Sequence, residues 1–260
     1  MLFTEVPFLD RFALAAQAGF QAVEFLFPYE YAPADIRQRL DQHGLQLVLH
    51  NLPAGDWAQG ERGIACHPDR TAEFRAGVTL AVEYAQALGV QQLNCLAGKA
   101  PTHLADVVLR TTLIDNLRFA ARTLQDANIR LLLEPINTFD IPHFYVHRTA
   151  QALRLMDEVK ADNLFLQYDI YHAQRMEGEL AAHLEKHLHR IAHIQLADNP
   201  GRHEPGTGEI NYDFLLPFLD RLGYSGWVGC EYKPANLTQA GLHWLKRFTT
   251  STSHTKATDK

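Results

Sequence analysis

The stretch Arg130–Asn137, RLLLEPIN, decides how the chain is to be interpreted. Its run of leucines is typical of a buried strand, yet it ends in a carboxylate, Glu134, that is followed at once by proline. A single acid at such a position can be an accident of strand termination. Four polar strand ends that converge would instead indicate a binding site, and the rest of the chain distinguishes these alternatives.

Short apolar runs of the same kind recur along the chain, most of them without strict alternation, as expected for parallel strands covered on both faces. They predict strands at residues 22–26, 45–51, 91–98, 129–137, 163–172, 191–199 and 226–234. Between them lie amphipathic segments with helix start and stop signals, such as Pro33 and Gly44. These segments predict helices at residues 7–19, 33–44, 71–89, 106–127, 149–160, 177–189, 211–223 and 238–248.

Regular alternation of strands and helices predicts a parallel sheet, either an open doubly wound sheet or a closed (β/α)8 TIM barrel. The GxGxxG fingerprint of a dinucleotide-binding sheet is absent after the first strand. Polar residues end many strands along the whole chain, as the mouth of a barrel requires. We therefore predict an α/β protein with one TIM-barrel domain over residues 1–248, followed by a disordered tail over residues 249–260.

The predicted barrel lacks its first strand at the N-terminus, because the chain opens with a helix and supplies seven strands for eight helices. Either the chain starts downstream of its natural start, or the barrel is open between its first and last visible strands. The alternative is that residues 1–6, MLFTEV, form a short strand. An unpaired parallel edge would lower stability and favour association, so a homo-oligomer is an expectation.

The bulk composition limits the function classes. The 260 residues are 47% hydrophobic and carry a net charge of −6, which argues against a nucleic-acid partner. The three cysteines form no CxxC pair and are expected to be reduced thiols. The N-terminus has no basic leader, and no apolar run approaches the roughly 20 residues that span a bilayer. We expect a cytoplasmic protein without a membrane partner.

Four predicted strand ends carry oxygen-donor side chains: Glu134, Asp169, Gln195 and Glu231. Any one acid at a strand end is more often a solvated cap or an ion-pair partner. Four together at one barrel mouth would be costly without a cation, since unpaired buried carboxylates are disfavoured. Oxygen ligands suit a hard divalent metal, Mg²⁺ or Mn²⁺. His193 is an alternative to Gln195 as the ligand from its strand.

Three further residues are candidates for substrate binding. His50 ends a strand, and His172 follows Asp169 by three positions. Either imidazole could instead be a hydrogen-bonded structural group. Arg202, in the loop after the sixth predicted strand, could hold a substrate carboxylate in a bidentate fork, or it could be solvated. The long segment 51–70 contains Trp57 and Arg62 and is expected to form an ordered lid.

Five blocks of the sequence together resemble the hydroxypyruvate isomerase family, within the xylose-isomerase-like TIM barrels, and the match extends to about Phe248. The blocks are HNLPAGDWAQGERGIAC (50–66), EPINTFDIP (134–142), QYDIYHAQRMEGEL (167–180), IQLADNPGRHEPGTGEINY (194–212) and GWVGCEYKP (226–234). The resemblance implies that Glu134, Asp169, Gln195 and Glu231 bind a divalent metal, and that Glu134 and Glu231 also transfer protons. It implies a complete first strand, from which this sequence departs.

The function that the resemblance implies is an intramolecular oxidoreductase of the aldose–ketose type. It would interconvert two small hydroxy-keto acids, hydroxypyruvate and tartronate semialdehyde, by metal-assisted proton transfer through an enediolate. 2-Oxo-tetronate isomerase is a close sister whose members share much of this pattern, including LFTEVPFLDRF (2–12). The sugar-epimerase branch typically has a histidine where Gln195 stands. A DNA-repair nuclease and a non-catalytic metabolite-binding barrel are the remaining alternatives.

Overall fold

The computed structural model describes residues 1–249, in which strands and helices alternate. The strands are β1 (Ala22–Phe25), β2 (Gln46–Asn51), β3 (Gln92–Cys95), β4 (Arg130–Leu133), β5 (Leu164–Asp169), β6 (Ile191–Leu196) and β7 (Val228–Cys230). Each strand lies within a predicted segment, and most are shorter than predicted. The predicted tail lies outside the described residues from position 250 onward.

The seven strands form one parallel sheet in the order β1-β2-β3-β4-β5-β6-β7. Every strand pairs with the next one along the chain; Leu132 is opposite Phe165, and Asp169 is opposite Gln195. A doubly wound sheet would reverse its strand order at a switch point, and this order does not. The sheet is a nearly closed barrel, which confirms the prediction of a TIM barrel with seven strands.

Except for the helix at residues 170–176, which was not predicted, the helices of residues 1–249 follow the predicted spacing. They are α1 (Arg11–Gln17), α2 (Pro33–His43), α3 (Thr71–Leu88), α4 (Asp106–Asp126), α5 (Thr149–Val159), α6 (Ile170–Met176), α7 (Leu180–His187), α8 (Tyr212–Arg221), α9 (Thr238–Gly241) and α10 (Lys246–Thr249). As predicted, α2 starts at Pro33 and stops at Gly44, whose φ of +63° suits glycine.

One strand prediction extends into a helix. Residues 163–172 were expected to be extended, but β5 ends at Asp169 and α6 begins at Ile170. The Asp169 carboxylate accepts a hydrogen bond from the Tyr171 backbone N–H at 2.8 Å and so caps the helix. A further turn, with Gly178 at φ +68°, separates α6 from α7.

The two outer strands, β1 and β7, enclose a cavity of about 880 Å³ that is also lined by Glu231, Gln195 and N-terminal residues. Residues 2–5 form turns, so the alternative of a strand at residues 1–6 is wrong. Glu24 of β1 reaches across the gap. A Cβ atom placed on Gly229 of β7 would lie 2.3 Å from Glu24 Oε1, so any larger residue there would displace that carboxylate.

Most buried apolar side chains form one large cluster. A separate small cluster of Val48, Leu49 and Leu132 packs with Phe165 and Ala192. Each of these residues lies earlier on its strand than the polar site residue of the same strand. The small cluster therefore fills the amino-terminal end of the barrel and leaves its carboxyl end to polar groups.

None of the helices in residues 1–249 has the length and apolar character needed to cross a bilayer. All three cysteines are free thiols, with Cys66 and Cys95 buried and Cys230 partly buried.

Candidate active site

The four predicted metal ligands lie at the carboxyl ends of four strands. Glu134 directly follows β4, Asp169 is the last residue of β5, Gln195 is the penultimate residue of β6, and Glu231 directly follows β7. The parallel order of the strands brings these ends to one mouth of the barrel.

Three of the side chains at this mouth come close together. One oxygen or nitrogen each from Glu134, Asp169 and His172 lie within 4.8 Å of one another. His172 Nε2 is 3.5 Å from Asp169 Oδ2 and 4.0 Å from Glu134 Oε1. Arg202 Nη2 is 3.8 Å from Asp169 Oδ2 and 3.4 Å from Glu231 Oε2, and it thereby connects Glu231 to the same group.

Burial raises the pKa of the Glu134 carboxyl well above its usual value, and the charges of Glu231 and Asp169 raise it further. Burial and the charge of Glu231 raise the pKa of Asp169 to about 7. The charge of Glu231 therefore acts on both other carboxylates, as expected when the three acids share one site. Asn94 Nδ2 donates a hydrogen bond to Glu134 Oε2 at 2.8 Å.

This group of residues suits a hard divalent cation. The carboxylates are buried or partly buried oxygen donors, and Asp169 Oδ2 is a buried atom without a hydrogen-bond partner among the described residues. A cation would satisfy that oxygen and offset the mutual repulsion of Glu134, Asp169 and Glu231.

Gln195 takes part in a buried network that sequence reasoning missed. Its Nε2 donates to Glu24 Oε1 at 2.8 Å, and its Oε1 accepts from Gln167 Nε2 at 2.6 Å. His193 Nε2 lies 2.5 Å from Glu24 Oε2. Residues two apart on a strand share a side, so Gln195 and His193 both face inward and do not exclude one another.

The carboxylate of Glu24 is charged in this network. Burial acts to raise the pKa of Glu24, but the charge and hydrogen bond of His193 and the hydrogen bond from Gln195 hold it below its usual value. An acid within the apolar run AVEF was the signal in the sequence that could have identified this residue.

The histidine candidates differ in their surroundings. Burial lowers the pKa of His50 to about 4; its Nδ1 lies 3.1 Å from the Asn51 carbonyl oxygen, and its ring stacks on Phe25. Phe25 belongs to β1 and Asn51 to the strand of His50 itself. A role of His50 in substrate binding stays a prediction. Burial, with the charges of Arg202 and Arg175, lowers the pKa of His172 well below its usual value.

Arg202 lies in a loop whose backbone is held by Asp198, another residue that sequence reasoning missed. The Asp198 carboxylate accepts hydrogen bonds from five backbone N–H groups, those of Asn199, Gly206, Thr207, Gly208 and Ile210. The Arg202 guanidinium lies 5.2 Å from the centre of the Tyr171 ring. An acid two residues after the end of β6, within LADNPG, was the available signal.

The long segment 51–70 packs as an ordered loop. The Arg62 guanidinium lies 4.0 Å from the centre of the Trp57 ring, and Trp57 lines the same cavity as Glu231. A Cβ atom on Gly63, at φ +110°, would lie 2.3 Å from the Leu96 carbonyl oxygen, so the loop approaches the end of β3 at a point where only glycine fits. Whether the loop acts as a lid stays a prediction.

Comparison with known proteins agrees with this fold and site. Residues 12–248 match the sequence profile of the family described as xylose isomerase-like TIM barrel, and the chain belongs to that family. The membership predicted from the five sequence blocks is confirmed.

Two curated relatives and one solved structure define its neighbourhood. The chain is 55% identical to hydroxypyruvate isomerase of Escherichia coli, over 94% of this chain and 95% of the relative. It is 47% identical to 2-oxo-tetronate isomerase of Cupriavidus necator, over 95% of both chains. It is also similar to a crystal structure named AP endonuclease, family 2, from Brucella melitensis, with a TM-score of 0.92, 44% identity and 95% of each chain covered.

Proposed function

We propose that this protein is a hydroxypyruvate isomerase, which interconverts hydroxypyruvate and tartronate semialdehyde. The observation that carries the proposal is the site of Glu134, Asp169 and Glu231 around Arg202, in a chain 55% identical to an enzyme of that name. The raised pKa of the Glu134 carboxyl supports a role in proton transfer, because it makes this carboxylate a stronger base than a solvated one.

We propose that the metal is Mg²⁺ or Mn²⁺ and that Glu134, Asp169, Gln195 and Glu231 hold it. The supporting observations are the oxygen donor set and the unpartnered Asp169 Oδ2. When bound, such a cation stabilises negative charge that develops on neighbouring substrate oxygens.

The residues of the chain account for the proton movements. One of Glu134 and Glu231 removes a proton from C3 of hydroxypyruvate, and the other handles proton transfer at C2, with an enediolate between the two steps. Substrate and product have the same composition, so no redox partner is needed. The Arg202 guanidinium is a cation at the site suited to the substrate carboxylate, and His50 and His172 are proposed to contact substrate oxygens.

The test is a side-by-side assay of hydroxypyruvate and 2-oxo-tetronate with Mg²⁺ or Mn²⁺, repeated with EDTA. We expect metal-dependent turnover with hydroxypyruvate preferred, and solvent deuterium in the product by NMR. Glu134→Gln should abolish turnover while circular dichroism remains unchanged, and Glu83→Gln, at an exposed position, is the matched control. An active Glu134→Gln enzyme would refute the role of Glu134, and strict retention of the substrate hydrogen would indicate a hydride shift.

The same experiments decide between the rival functions. Preference for 2-oxo-tetronate would instead indicate a 2-oxo-tetronate isomerase. The 47% identity to an enzyme of that name favours this alternative. Binding without isomerisation would indicate a metabolite-binding barrel. Cleavage of abasic duplex DNA would support a nuclease, the candidate favoured by the name of the Brucella structure, whereas the net charge of −6 opposes it.

The proposal also covers the location, the domain organisation and the assembly of the protein. We propose a cytoplasmic location, which the three free thiols support. The proposed domain is a single barrel over residues 1–248. A homo-oligomer is proposed from the two unpaired sheet edges at β1 and β7, and sedimentation velocity would test it.

A further inference from the structure

Asn137, the last residue of the opening stretch RLLLEPIN, is a fully buried amide with a determined orientation. Its Oδ1 accepts hydrogen bonds from the backbone N–H groups of Phe139 at 3.0 Å and Asp140 at 2.8 Å. Only the carbonyl end of an amide can accept two N–H donors. The NH2 group of Asn137 must therefore point the other way.

That NH2 group faces the ring of His172. Asn137 Nδ2 lies 2.7 Å from His172 Nδ1 and 3.1 Å from Asp140 Oδ2, so its two hydrogens each have an acceptor. Asp140 Oδ2 is itself held in position, because it also accepts a hydrogen bond from the Tyr171 hydroxyl at 2.8 Å. A nitrogen that accepts a hydrogen bond carries no hydrogen, so the ring hydrogen of His172 lies on Nε2.

Nε2 is the ring nitrogen that faces the site, 3.5 Å from Asp169 Oδ2 and 4.0 Å from Glu134 Oε1. Arg202 Nη2 is 3.4 Å from Nε2, a much longer contact than the 2.7 Å between Asn137 Nδ2 and Nδ1, and Glu231 Oε2 lies equally close to Arg202 Nη2 as an acceptor. An Nε2–H group has no free lone pair, so it can neither bind a cation nor take up a proton.

We propose that Asn137 is a positioning residue that holds His172 in the Nε2–H tautomer, so that His172 donates a hydrogen bond to a substrate oxygen and is not a metal ligand. The tautomer follows from the contacts of Asn137 alone. The assignment of the donor to a substrate oxygen rests on the proposed isomerase function. His172 therefore lies close to Glu134 and Asp169 as a hydrogen-bond donor to substrate and not as a third metal ligand.

A pair of nearly isosteric substitutions reverses the hydrogen bond. Asn137→Asp keeps an oxygen for the two backbone N–H groups but places an acceptor opposite His172 Nδ1. Combined with Asp140→Asn, it avoids a like-charge pair, since the new amide nitrogen can donate one hydrogen to the new carboxylate and the other to the Tyr171 hydroxyl oxygen. The double variant should move a hydrogen onto Nδ1, and Asp140→Asn alone should leave the tautomer unchanged.

Nitrogen-15 NMR of histidine-labelled, metal-free protein tests the tautomer directly, with His172 assigned by the signals lost in His172→Gln. The wild-type spectrum should show a protonated Nε2 and an unprotonated Nδ1, and the double variant should show a protonated Nδ1. A wild-type protein with hydrogen on His172 Nδ1 at neutral pH would overturn the proposal. This measurement needs no activity and no folded Asn137 variant.

A double-mutant cycle tests the consequence for turnover. In the wild-type background, the Asn137→Asp/Asp140→Asn pair should lower kcat/KM for hydroxypyruvate about 10²-fold, the usual effect of losing one donor in a transition state. In the His172→Gln background, where the donor no longer depends on a tautomer, the same pair should cost about twofold or less. Equal losses in both backgrounds would contradict the positioning role. A wild-type protein that turns over neither keto acid refutes the isomerase function and the donor role, and NMR still decides the tautomer.

Discussion

Replacing Asp169 by asparagine should stabilise the metal-free protein at neutral and higher pH, although it alters the centre of the site. The Asp169 side chain is buried, 2% of the residue is exposed, and its pKa is raised from 3.8 to about 7. Between these two values the native state binds more protons than the unfolded state, so the free energy of unfolding falls as the pH rises. The loss of unfolding free energy caused by the buried charge of Asp169 reaches its full size above about pH 7.

The magnitude follows from the pKa shift. A shift of about three pKa units corresponds to about 4 kcal/mol, which is the upper limit of the gain. Asparagine keeps an oxygen to accept the Tyr171 N–H, and it loses the 3.8 Å pairing with Arg202. We therefore expect Asp169→Asn to raise the free energy of unfolding by about 2–3 kcal/mol near pH 8, and by clearly less near pH 5.

Urea unfolding in EDTA at several pH values measures this effect. Asp162→Asn, at an exposed position, is the control and should change stability by no more than about 0.5 kcal/mol. Added Mn²⁺ should stabilise the wild-type protein more than the variant, because the stabilisation by a ligand of the native state grows with the logarithm of its affinity. A variant no more stable than the wild type near pH 8, or a gain independent of pH, would refute the electrostatic reasoning.

Two further predictions concern residues that hold the site together. Glu24→Gln should weaken Mn²⁺ binding about tenfold, because it removes an acceptor that orients Gln195; calorimetric titration beside the Glu83→Gln control checks this, and equal affinity would refute it. Asp198→Ala should lower the free energy of unfolding by about 3 kcal/mol and raise KM through Arg202, since five backbone N–H groups lose their acceptor. Asp198→Asn should lower the free energy of unfolding, measured in urea, by less. An Asp198→Ala variant as stable as the wild type would contradict the role of Asp198 in holding the loop.

The parts of the fold that depend on local pattern could be predicted. Apolar runs without alternation identified the strands, and Pro33 and Gly44 marked the ends of a helix. The end of β5 was placed three residues too late, because the apolar pattern of residues 163–172 does not reveal that Asp169 caps the following helix. Asp169 can act as a cap only because the chain leaves the sheet at this residue, and the apolar pattern does not show where that happens.

The sequence by itself determined the alternation of strands and helices and the acids at the strand ends, since hydrophobic period and residue type are local properties of the chain. Only the tertiary structure decided the contacts between distant segments. Glu24 meets His193 and Gln195 from 169 and 171 positions away, because barrel curvature brings β1 to β6 and β7. The hydrogen of His172 is likewise directed by Asn137, 35 positions earlier, since a neutral imidazole places its hydrogen according to the partner that it meets.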